Sequence, residues 1–187
     1  MTQIIKPMTK YIAMLRGINV SGQKLIKMAE LEILLEELNL KNVSTYIQSG
    51  NVLFDTDKSN QIELASLISD KIKDKYGFDV PVIIISNDEL KSISESNPFI
   101  KQRQIDIERL YVTFLDKVPD SDLVNKFKEV DYKPDEFSIA GKVLYGFFPN
   151  GYGNTKFSNN FIENKLKTIA TTRNWKTVLK LTEMSRV

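Results

Sequence analysis

Val43-Ser-Thr-Tyr-Ile-Gln48-Ser-Gly-Asn51-Val-Leu-Phe54 is the stretch that decides the fold. Residues 43–48 and 52–54 are runs of strand formers, and Ser49-Gly50-Asn51 between them is turn chemistry, so the segment predicts a β-hairpin. Upstream, Met28, Leu31, Leu34, Leu35 and Leu38 fall at helical spacing and predict an amphipathic helix over 28–38. Before it, residues 11–16 form a short apolar run that reads as a buried strand. Downstream, residues 60–76 read as a second helix, with Asn60 as its cap and Glu63 completing a capping box. Residues 80–85, rich in β-branched side chains, predict another strand. The order is βαββαβ.

That order then recurs. Ser86-Asn-Asp-Glu89 is a capping box that opens a helix to about residue 94, and Asn97-Pro98 ends it. Residues 110–115 read as a strand and 120–130 as a helix. A hairpin follows, with strands at 136–139 and 143–148 around Gly141-Lys142. Residues 160–167 read as a helix with Asn160 and Glu163 in capping-box positions, and 168–172 as a short strand. A last helix runs over 174–184, with Trp175, Val178, Leu179 and Thr182 on one face. The expected architecture is α+β: two tandem ferredoxin-like βαββαβ subdomains with extra helices after each. Residues 1–8 are read as an N-terminal extension and 9–97 as the first subdomain with its extra helix. Residues 98–107 are read as a connector, and 108–187 as the second subdomain with a C-terminal helix.

Composition removes several chemistries. The 187 residues include no cysteine and no histidine. Disulfides, thiolate or imidazole metal sites, cysteine nucleophiles and Ser-His-Asp hydrolysis are therefore excluded. No metal site is evident, and the identity of any cofactor is unknown from the sequence. No apolar run approaches a membrane span, and the N-terminus is too short and polar for a signal peptide, so a cytoplasmic protein without membrane contact is expected. Net charge is +2, but residues 142–187 hold eight basic residues against two acidic ones. Such an excess suits phosphate or an acidic partner, and equally suits lysines solvated on helix faces.

The element order places separated motifs on shared edges. In the first half, the loop after strand one and the hairpin turn open at one sheet edge, bringing Arg16, Asn19, Lys24, Gln48, Ser49 and Asn51 together. Cations, amides and glycine-permitted backbone there suit an anion. Ordinary turn chemistry explains the same residues, with Asn19 bonding its own loop. In the second half, the glycine loop at 151–156 and Thr171-Thr-Arg-Asn-Trp175 share an edge, so Lys156, Thr172, Arg173 and Asn174 are candidates for a phosphate beside the last helix. A turn plus a helix cap is the competing reading. Tyr145, Phe147, Tyr152, Phe157, Phe161 and Trp175 are interspersed with these basic residues and are expected mostly in the core.

At Leu15-Arg-Gly-Ile-Asn-Val20, Tyr46-Ile-Gln-Ser-Gly-Asn-Val52 and Thr171-Thr-Arg-Asn-Trp-Lys-Thr-Val178, the chain resembles DUF1697, a bacterial family of unknown function. The start Met28-Ala-Glu-Leu31 fits as well. The resemblance spans about residues 9–182 and implies an α+β fold of two subdomains, with no established activity, cofactor or catalytic residue. The functional expectation is a binding module for a phosphate-bearing ligand, a nucleotide or nucleic acid. Two other readings stand beside it: a small enzyme working through Lys, Tyr or carboxylates in a groove between the subdomains, and a protein-interaction scaffold.

Overall fold

The computed structural model describes residues 7–102 and 105–186. Most of the expected N-terminal extension and residues 103 and 104 of the expected connector lie outside the described residues. The elements are β1 (Thr9–Leu15), α1 (Met28–Glu36), β2 (Lys41–Tyr46), β3 (Asn51–Thr56), α2 (Gln61–Tyr76), β4 (Val82–Ser86), α3 (Asn87–Glu95) and α4 (Pro98–Gln102). They continue with β5 (Leu110–Leu115), α5 (Ser121–Lys128), β6 (Glu136–Ala140), β7 (Val143–Phe147), α6 (Asn159–Leu166), β8 (Ala170–Asn174) and α7 (Trp175–Met184). Two compact units result: one runs to Leu90 and takes in the chain from Glu183, and the other is Lys91–Thr182.

Unit one has a four-stranded sheet in the order β2-β3-β1-β4, with every neighbouring pair antiparallel. This is the ferredoxin-like order expected from βαββαβ. Tyr11, Ala13, Leu15, Val52, Phe54, Val82 and Ile84 form the core with Leu31, Leu34 and Leu35 of α1 and Leu64, Ile68 and Ile72 of α2. On the opposite sheet face Ile12, Met14, Leu53, Ile83 and Ile85 are buried too. Burial on both faces is why these strands read as continuous apolar runs. The helix ends follow local chemistry. Asn60 accepts from the amides of Ile62 and Glu63, and Gly77 closes α2 at φ 78°. Ser86 and Glu89 bond reciprocally, amide to side chain, at 2.7 and 3.2 Å, completing the box at α3.

Unit two repeats the sheet as β6-β7-β5-β8, again antiparallel throughout. Its core is aromatic. The Phe127 ring lies 5.0 to 6.0 Å from those of Phe137, Tyr132, Phe157 and Phe161, edge-on to Phe137 and Phe157, an arrangement that ring quadrupoles favour. Gly146 is required beneath this layer, because a Cβ there would lie 2.3 Å from Phe148.

Several boundaries differ from the sequence reading. Ser158, not Asn160, caps α6 by accepting from the Phe161 amide. Glu163 accepts from the Ala170 amide at 3.0 Å. The last strand lies at 170–174 rather than 168–172. On α7, Leu179 is 41% exposed, and Leu181 is buried beside Trp175, Val178 and Thr182. The buried stripe thus follows 175, 178, 181 and 182. The expected connector opens with α4: Pro98 occupies the first helical position, where its missing N–H costs nothing, and the Asn97 side chain accepts from the Phe99 amide.

Phe127→Ala empties the centre of the aromatic cluster. We expect a loss of about 3–5 kcal/mol, read as a lowered urea midpoint of the transition that reports on unit two.

Candidate functional site

The loop from β1 to α1 and the β2–β3 turn meet at one edge of unit one, and Asn19 is the bond between them. Its Nδ2 donates to the Ile26 and Gln48 carbonyls at 2.9 and 2.8 Å, and its Oδ1 accepts from the Ile26 amide at 2.8 Å. All its side-chain hydrogen-bonding groups are thereby used between the loop and the turn. Asn51 is fully buried and donates to the Tyr46 carbonyl and the Ser49 hydroxyl at 3.0 and 3.1 Å. Gly50 sits against Leu15 and Ile18: a Cβ there would be 2.8 Å from both side chains. Its φ of 74° also favours glycine.

A third segment completes the edge. The Arg16 amide donates to the Pro81 carbonyl at 2.9 Å. Lys24 donates through Nζ to the Asp79 carbonyl at 2.5 Å and lies 5.9 Å from the Phe78 ring centroid. The Lys73 ammonium, 2.8 Å from Asp79, holds that carboxyl below its usual range. Phe78 and Asp79 were not singled out in the sequence, although their place between helix and strand was a signal: β4 starts where β1 ends.

The edge is backbone-strained and outwardly apolar as well as cationic. Asn19, Ser21, Lys24 and Ile47 have φ between 47° and 55°. For a β-branched residue such as Ile47 this is a rare conformation. Val20, Leu25 and Ile47 are exposed by 57, 65 and 48%. Arg16 is half-buried, and Gln48, Gly17, Ser21 and Gly22 are exposed. Of the six residues expected here, Asn19 and Asn51 build the edge, Ser49 bonds to Asn51, and Arg16, Lys24 and Gln48 lie along it, Lys24 bonded to Asp79.

In unit two the candidate residues separate. Successive residues of β8 point to opposite faces. Thr172 shares a hydroxyl bond of 2.7 Å with Thr113 and donates to Asn159 at 2.7 Å. Arg173 lies on the other face, 7% exposed, and donates through Nη1 to the Thr171 hydroxyl and the Thr172 carbonyl at 2.8 and 2.9 Å. Burial pulls its guanidinium down to about 10, against a weaker upward pull from Tyr152, so it is a cation at neutral pH. Asn174 accepts from the Lys176 amide and donates to the Glu108 carbonyl, and Lys176 pairs with Glu108. Lys156 is exposed. Tyr145, Phe157 and Trp175 are buried, and Phe147, Tyr152 and Phe161 are half-buried.

A shallow groove of about 230 Å³ on unit one is lined by Leu34, Glu37, Lys71, Asp74 and Lys75. Glu37 is ion-paired with Lys71 at 2.7 Å, and that contact lowers its pKa, opposite to what a general acid needs. Among the described residues no group of three acidic side chains could hold a metal ion. Nor is any helix among them long and apolar enough to cross a membrane.

The family model described as a protein of unknown function (DUF1697) matches residues 8–145, including the loop and hairpin motifs of unit one. The Thr171–Val178 motif lies beyond the matched residues. Among solved structures, a conserved bacterial protein, SP0830 from Streptococcus pneumoniae, is similar at 26% identity and a TM-score of 0.75, over 96% of this chain and 99% of that one. No curated protein matches.

Two expectations follow from this geometry. Asn19→Ala removes the clamp and leaves alanine in a left-handed conformation; unfolding titrations should show a loss of about 2–3 kcal/mol. Glu37 and Asp79 both have lowered folded pKa values. Their stabilisation is therefore complete above the ordinary carboxyl range and is lost as pH falls through the folded values. Between pH 7 and pH 3 the urea midpoint should fall, and less steeply in a Lys71→Met, Lys73→Met double variant.

Proposed function

We propose, from the premise that this chain belongs to the DUF1697 family of proteins of unknown function, that it is a binding module for a phosphate-bearing ligand seated on the loop edge of unit one. One observation carries the reading: the edge is fixed from within by Asn19, Gly50 and Asn51, while its outer side chains take no part in the core. Left-handed backbone at four non-glycine residues persists where the surroundings over-determine it, and such strain gathers at ligand sites. A surface fixed beforehand also spares the ordering cost of binding.

The side chains argue for the ligand class. Arg16 and Lys24 bring positive charge, and Gln48 with the exposed Gly17, Ser21 and Gly22 brings hydrogen-bonding groups. Val20, Leu25 and Ile47 put apolar surface beside them. A nucleotide has both halves: phosphates for the cations and a flat base for the apolar side chains. This favours a nucleotide over a bare anion. A nucleic acid seated on the same edge would bind with an affinity that falls steeply with salt.

A thermal-shift panel of ATP, GTP, NAD and inorganic phosphate, with RNA and DNA at low salt, tests the reading. A nucleotide at ten times its Kd should stabilise the protein by about 1.4 kcal/mol. Arg16→Ala should weaken that ligand about tenfold by calorimetry, the loss of one charge-assisted contact. No stabilisation by any of these ligands at millimolar concentration, or unchanged affinity in Arg16→Ala, overturns it.

A further inference from the structure

The four edge strands of the two sheets are not treated alike. On β2 the Thr45 amide faces away from β3, and Glu32 of α1 accepts from it at 2.7 Å. On β4 the Ser86 amide faces outward and is taken by Glu89 at 2.7 Å. On β8 the outward Ala170 amide is taken by Glu163 at 3.0 Å. In each case a helix glutamate occupies one outward amide of an edge that could otherwise invite another strand. β2 is further broken by a register shift between Lys41 and Ser44 and by Asn42 at φ 50°.

Among the described residues β6 has none of these devices. Its pairing with β7 is regular from Glu136↔Phe147 to Ala140↔Val143. The Lys142 carbonyl accepts from the Leu115 amide of β5, so Val143 turns its backbone toward β6. Alternation then commits Glu136, Ser138 and Ala140 to β7. Phe137 and Ile139 direct their amides and carbonyls outward, and neither makes a further hydrogen bond among the described residues. Their side chains are half-buried at the margin of the aromatic core.

We propose that β6 pairs antiparallel with β6 of a second copy of this chain, joining two unit-two sheets into one of eight strands. The strand is its own complement. With a two-fold axis through Ser138, Phe137 stands opposite Ile139 of the second copy, and Ile139 opposite its Phe137. Each pair exchanges two backbone bonds, so all four outward groups on each strand are satisfied. The facing Phe and Ile side chains are a favourable cross-strand pair. Glu136 falls opposite Ala140 of the second copy, next to that copy's exposed Lys142, and this match of charge occurs twice about the axis. An unrelated extended peptide would meet the backbone groups but not the repeated charge match.

Sedimentation equilibrium of the full chain, from low micromolar to several hundred micromolar, tests the pairing. The mass should rise toward two chains with concentration. Lys142→Glu should weaken association about tenfold, and Glu136→Lys combined with Lys142→Glu should restore it. Ile139→Pro removes an outward donor without breaking the bonds to β7, and should abolish association with the circular dichroism unchanged. If that variant misfolds, the charge pair decides. One chain mass at every concentration, or association that none of the variants changes, overturns the proposal.

Discussion

Gly50 has no room for a side chain. Its carbonyl accepts from the Leu15 amide at 2.8 Å, at the end of the central strand, and its α-carbon presses on Leu15 and Ile18. Three segments therefore meet at one place: the end of β1, the loop that follows, and the β2–β3 turn. Once they meet, Asn19 can bond across them, and Asn51 can be buried with its amide satisfied. The shape of the loop edge follows from that contact. So does the exposure of Ile47, which the turn turns outward in a conformation it would not otherwise hold.

The two units share a sheet order and differ in where the chain is elaborated. In unit one the segment between the first strand and first helix is long and internally bonded, from Arg16 to Lys27. In unit two the matching segment, residues 116–120, is short, and the additions lie elsewhere. One is between α5 and β6, and the other is the glycine-containing loop after β7, where Thr155 bonds to Asp135 at 2.6 Å. Connections are where function is carried on a repeated scaffold. The shared fold thus says little about what each edge does; the loop chemistry says more.

Much of this was legible in the sequence because it rests on local rules. The hairpin at Ser49-Gly50-Asn51, the caps at Asn60 and Ser86, and the helical stripes each depend on residues a few positions apart. The competing reading of Asn19 as a loop-bonding residue was also local, and it describes the contacts found. What was not legible depends on tertiary placement. Thr172 and Arg173 are adjacent in sequence, but strand alternation sends their side chains to opposite faces of the sheet, with different partners. Asp79 and Phe78 entered the edge only through the return of β4 beside β1. Glu163 had the spacing of a capping box, yet an unfilled amide on β8 claimed it.

The account depends on the loop edge being formed before any ligand arrives, and amide-resolved hydrogen exchange of the free protein tests that most directly. The amides of Leu15, Asn19, Gln23 and Ile26 donate within the edge, to the carbonyls of Gly50, Lys24 and Val20 and to the Asn19 side-chain oxygen respectively. They should be protected to a degree approaching that of the β1 ladder, while Gly17 and Gly22 exchange freely. If Asn19, Gln23 and Ile26 exchange at the rate of an unstructured chain while β1 stays protected, the loop is not preformed and the central claim fails.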